Sequence, residues 1–150
     1  MTCTSFWFHL YPDIPKPIGG VKQVHRVAES LDSLDQRATI IQKSATFHPG
    51  WFTSKVNTIA LDSWNSLQLE ASSNYCVFAE TFVLHIHKLS RKLPVIIFNQ
   101  NFSYTFGLPE YPFPPGKVID IYKSSLVSQV WCVSQNDFDS LLLLGCDPNK

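Results

Sequence analysis

The chain has 150 residues, 45% of them hydrophobic, and 12 basic side chains balance 12 acidic ones for a formal net charge of zero. That length and apolar content suit one ordinary domain with a sizeable core and argue against disorder. The charge balance gives no electrostatic footprint for nucleic acid or an anionic membrane.

No apolar run approaches a membrane span, and no basic segment precedes the first apolar run as a secretory leader requires. The expectation is a soluble, cytoplasmic protein. Cys3, Cys76, Cys132 and Cys146 are widely spaced, without the close pairs of a zinc site. Reduced, mostly buried thiols fit that compartment.

In chain order, Phe6 to Leu10 is a short apolar run that reads as a buried strand. A proline-rich loop leads to Gly19-Gly20, read as a turn. Val21 to Leu34 follows as a helix, with Val21, Val24, Val27, Ala28, Leu31 and Leu34 on one stripe and Lys22, His25, Arg26, Glu29 and Ser33 opposite. A glycine turn before a helix lets a ligand approach the free N–H groups of the first turn, which favour an anion. Lys22 and Arg26 stand where the helix dipole disfavours cations, and a bound anion would offset that cost.

Ala38 to Gln42 is β-branched and reads as a second strand, parallel to the first across a helical crossover. Trp51 and Phe52 beside Pro49-Gly50 either form an aromatic lip or tuck onto the core. Thr58 to Leu61 is a possible short strand, and Ser66 to Asn74 reads as connection. Tyr75 to Ala79 is a strand ended by Glu80-Thr81, and Phe82 to Leu89 reads as a helix with a basic end at Lys88, Arg91 and Lys92. Those cations complement the helix dipole, and a phosphate patch is the rival reading. His85 and His87 lie two apart on that helix and point apart, against a shared metal.

Val95 to Phe98 is the clearest buried strand and runs into three amides, Asn99-Gln100-Asn101. The carboxyl end of a parallel strand is where open α/β sheets bind ligands, although each amide could equally cap the following turn. Phe102 to Lys117 reads as a long aromatic and proline-rich loop. Val118 to Tyr122 reads as a strand or as entry to a helical turn, Gln129 to Val133 as a strand, and Phe138 to Leu144 as a helix with Ser134 as N-cap and Gly145 as C-cap.

Gly19-Gly20 lacks the third glycine of a dinucleotide fingerprint, and no Walker A pattern is present. The segments Phe6-Trp7-Phe8-His9-Leu10-Tyr11-Pro12, Pro15-Lys16-Pro17-Ile18-Gly19-Gly20-Val21-Lys22 and Ala28-Glu29-Ser30-Leu31 together resemble the amino-terminal domain of group 1, family 4 type glycosyltransferases of the GT-B fold. Glu80-Thr81, Ile97 to Asn101 with Tyr104-Thr105-Phe106, Val133-Ser134-Gln135 and Leu144 to Pro148 extend the resemblance over most of the chain.

The resemblance implies an α/β, Rossmann-like, doubly wound fold with a mostly parallel sheet of about six strands and helices on both faces, one half of a GT-B enzyme. It implies that Gly19, Gly20 and Lys22 face the donor phosphates, and that Glu80, Asn99, Gln100, Asn101 and Tyr104 face a sugar or glycan acceptor. No catalytic residue, metal or cofactor is implied within these 150 residues. The family's donor domain has no counterpart here, which gives the expectation of a truncated or split transferase, weakly active or inactive alone, with a separate donor-domain chain as partner. Where relatives carry a histidine near the end of the fifth strand, this chain has Asn99-Gln100-Asn101. A rival expectation is a non-catalytic binding module that self-associates through the aromatic loop from Tyr104 to Phe113. A Rossmann-like enzyme of another chemistry is a third.

Overall fold

Ser5–His9 (β1) and Arg37–Gln42 (β2) run parallel, with Phe8 facing Ile40 and His9 facing Ile41 across the ladder. The crossover between them is Gly19–Asp32 (α1), whose buried residues are Val21, Val24, His25 and Ala28. Asn57–Ala60 (β3) adds to β2, also parallel, and leads into the short helix Leu61–Ser66 (α2). Trp64 of α2 is fully buried, its ring 5.2 Å from Trp7 and 5.2 Å from His9. These elements and the start of Asn74–Ala79 (β4) form a compact unit ending at Cys76. The computed structural model describes residues 4–150, so Cys3 lies outside the described residues.

A second compact unit begins at Val77. From β4 the chain passes through the 3-10 segment Glu80–His85 and one turn of helix, Ile86–Leu89 (α3), to Val95–Asn99 (β5), which is buried along its whole length. A 3-10 turn at Phe102–Tyr104 precedes the hairpin Gly107–Leu108 (β6) with Tyr111–Pro112 (β7). Pro115–Lys123 (α4), Val127–Cys132 (β8) and Gln135–Leu143 (α5) complete the unit, and β8 runs parallel to β5. Val83, Ile86, Ile97, Val118, Tyr122 and Leu141 are among its buried side chains.

The parallel sheet has the strand order β3-β2-β1-β4-β5-β8. With helices flanking it, this is a Rossmann-like, doubly wound α/β fold. No helix among the described residues is long and apolar enough to cross a membrane.

Several expectations are corrected. Gly19 and Gly20 are the first two residues of α1 rather than a turn ahead of it. His25 is 2% exposed, not on the solvent face, because the buried spacing 21, 24, 25, 28 includes it. The helix ends at Asp32; Asp35, at φ 57°, supplies the left-handed residue after it, and Leu34 is exposed. Glu80 opens a 3-10 segment, so the helix expected from Phe82 to Leu89 is regular only over its last turn.

Arg91 and Lys92 follow α3 in left-handed backbone, at φ 53° and 68°. The segment from Phe102 to Lys117 is not one loop, and Val118 to Tyr122 is helix. Pro115 starts α4 at a position where its missing N–H costs nothing. The last strand ends at Cys132 rather than Val133, and α5 begins at Gln135 rather than Phe138. Ser134 and Gly145, the latter at φ 77°, take the expected capping places.

Candidate functional site

In the first unit, the amino end of α1 follows the loop from β1. Asp13 pins that loop, its two carboxylate oxygens accepting the backbone N–H groups of Lys43 at 2.7 Å and Ser44 at 2.9 Å. Ile18 is the N-cap, in extended backbone; no side chain caps the helix, and its first turn carries no acidic residue. A Cβ built on Gly19 meets nothing within 4 Å, so the backbone there is open to a close approach. Lys22 is exposed one turn further on. Gly19, Gly20 and Lys22 thus share one helix end, whose own first turn carries no acidic residue.

At the carboxyl end of β1, His9 is 2% exposed and burial pushes its imidazole down to about 3. Its Nδ1 lies 3.3 Å from the Tyr11 hydroxyl, and burial raises that phenol to about 12. Both groups are therefore uncharged near neutral pH. His25 Nδ1 shares a hydrogen bond of 2.9 Å with Ser54 Oγ, and the ring meets Phe52 edge-on at 4.9 Å. Phe52 tucks onto α1, as the second of the two readings of Trp51-Phe52 expects, and Trp51 packs edge-on against Phe52.

In the second unit, Glu80 and the three amides come together around the carboxyl end of β5. Glu80 is 3% exposed, and its Oε2 accepts the backbone N–H of Gln100 at 3.0 Å. Burial raises its carboxyl above the ordinary 4.5, against backbone hydrogen bonds from Gln100, Glu80 itself and Asn101, while the nearby Asp137 charge raises it further. Asp137 takes the next backbone group, its Oδ1 accepting the Phe102 N–H at 3.0 Å and its Oδ2 accepting the Ser134 hydroxyl at 2.9 Å.

Asn99 is fully buried; its Nδ2 donates to Thr105 Oγ1 and to Tyr122 Oη, each at 2.9 Å, and its Oδ1 finds no partner among the described residues. Burial holds the Tyr122 phenol well above its usual range. Gln100 is half-buried, with Oε1 enclosed and unpaired among the described residues. Asn101 caps the following 3-10 turn, its Oδ1 accepting the Ser103 N–H at 2.9 Å, and Tyr104 is 40% exposed.

The five residues expected on the acceptor side thus gather at one strand end, but they face different ways. Glu80 and Asn101 are turned to backbone groups, Asn99 to the interior, and Tyr104 to solvent. Two surface depressions, of about 410 Å³ beside Val133, Ser134 and Phe138 and about 450 Å³ beside Arg26, Glu29 and Lys55, include none of the expected residues. His9, Asp137 and Tyr122 were not singled out by sequence. For Asp137 a signal existed, since Ser134-x-x-Asp137 has capping-box spacing, and Ser134 accepts the Asp137 N–H at 3.2 Å.

Comparisons with protein-family models, with curated proteins and with solved structures each returned no match.

Proposed function

We propose that these 150 residues form the acceptor-side, Rossmann-like half of a glycosyltransferase that moves a sugar from a nucleotide-sugar donor to a sugar or glycan acceptor. The observation that carries the reading is the amino end of α1: no side-chain cap, no acidic residue in the first turn, open space over Gly19, and an exposed Lys22. Such an end attracts a phosphate through its N–H groups and its dipole. The resemblance to glycosyltransferases implies a donor diphosphate there, with the acceptor at the end of β5. Supporting the acceptor assignment, Tyr104 is 40% exposed in the turn that follows β5, where Asn101 caps the backbone by accepting the Ser103 N–H.

A second reading, a non-catalytic binding module, is favoured by the exposure of Leu108 and Tyr111, at 40% and 74%, together with Tyr104. Titration with uridine diphosphate, followed on the backbone amides, separates the two. The transferase reading expects shifts at Gly19, Gly20 and Lys22 with an affinity of roughly millimolar order, and about fivefold weaker binding in Lys22→Ala. Shifts scattered over the surface, or none at Gly19 to Lys22, would leave the binding module.

A further inference from the structure

Four consecutive positions, from Asn99 to Phe102, leave β5 and turn into the 3-10 segment, and two buried acids hold the backbone of that turn. Glu80, on the segment after β4, accepts the Gln100 N–H, with Asn101 as a further backbone donor. Asp137, on α5, accepts the Phe102 N–H and is itself steadied by the Ser134 hydroxyl. Asn101 completes the turn by accepting from Ser103. Successive N–H groups that would otherwise lack partners are thereby satisfied by charges from two other elements.

We infer that Glu80 and Asp137 form a carboxylate clamp that sets the shape of the turn from Gln100 to Tyr104, and that neutralising Glu80 loosens this turn while the rest of the unit stays folded. Both acids are positioning residues: they act through the backbone on the exposed face of Tyr104. The charged and titratable groups that face Glu80 are Asp137 on α5 and Tyr122 on α4, and no charged residue lies between Val95 and Tyr104. Burial and the Asp137 charge both favour a proton on Glu80, whereas its backbone donors favour the carboxylate. A neutral carboxyl is the weaker acceptor, so protonation costs the turn its charge-assisted bonds. The inference holds whatever ligand the rim takes, and is independent of the transferase reading.

The test is a pH titration of the free chain from about pH 8 to about pH 4, read on the amide resonances of Gln100, Asn101 and Phe102. Gln100 and Asn101 are expected to shift together with a midpoint above 4.5, and their protection from hydrogen exchange to fall about fivefold below it. Tyr104 ring signals follow the same midpoint. In Glu80→Gln the shared transition disappears, and the turn shows its low-pH signals at neutral pH. Should that variant not fold, the wild-type titration decides alone. Gln100 and Asn101 resonances that do not titrate together, or that titrate unchanged in Glu80→Gln, would overturn the clamp.

Discussion

His9 and His25 are sealed from water in the first unit, and burial takes their imidazoles from 6.5 to about 3 and about 4. Glu29 pulls His25 upward, but desolvation outweighs it. Between those values and 6.5 the unfolded chain binds protons that the folded chain refuses, so stability rises with pH across that window. The contribution is fully present above about pH 6.5 and is lost as pH falls toward about 4 and then 3. Urea midpoints measured through this range should fall steadily with acid, and His25→Gln should flatten the upper part of the slope. Against the unfolded chain Glu80 has the opposite sign, because burial outweighs its backbone donors: its raised carboxyl gives global stability that is present below the unfolded value and lost as pH rises through the folded one, even as protonation weakens its local bonds to the turn.

Backbone demands are equally specific at this scale. A Cβ on Gly107 would collide with the Tyr111 carbonyl oxygen, in backbone at φ 88°. Gly107→Ala is expected to cost about 2 kcal/mol, read by chemical denaturation, with β6 and β7 losing their pairing first.

Among the elements, α2 is only six residues long, yet it anchors a cluster with Trp7 and His9 through Trp64. Trp64→Ala should destabilise the chain by about 3–5 kcal/mol, a large part of a typical domain's stability. At the other end of the chain, Ser134→Ala should cost about 1 kcal/mol through the lost cap of α5, measured as a shift in the thermal midpoint.

The buried strands β1, β2, β4 and β5 were legible because a parallel strand covered on both faces reads as a continuous apolar run. A six-residue helix is too short to show a period, so α2 was invisible in the sequence. In α4, Val118, Ile119 and Ile121 imitate a strand, and the decisive cue was Pro115 at the helix start. His25 fell at correct core spacing, but its residue type pointed to solvent. Its bond to Ser54, 29 residues away, is tertiary and has no local signature.

On the scale of the whole molecule, the strand order β3-β2-β1-β4-β5-β8 matches the Rossmann-like expectation, which alternating strands and helices with parallel crossovers make readable. The site was less readable. Sequence put Glu80 after one strand and Asn99, Gln100, Asn101 and Tyr104 after the next, and the resemblance grouped the five on the acceptor side, but which of them turn inward depends on Asp137, Thr105 and Tyr122. Side-chain direction at a strand end is set by such partners, not by spacing.

The proposal that this end of β5 receives a saccharide is tested most directly by titrating the chain with a panel of neutral oligosaccharides and mapping the amide and tyrosine signals that move. The transferase reading predicts that at least one oligosaccharide shifts Gln100 to Tyr104, that Tyr104→Ala weakens it about tenfold, and that Gly19 to Lys22 stay still unless uridine diphosphate is added. Oligosaccharides that all leave Gln100 to Tyr104 unmoved would contradict it.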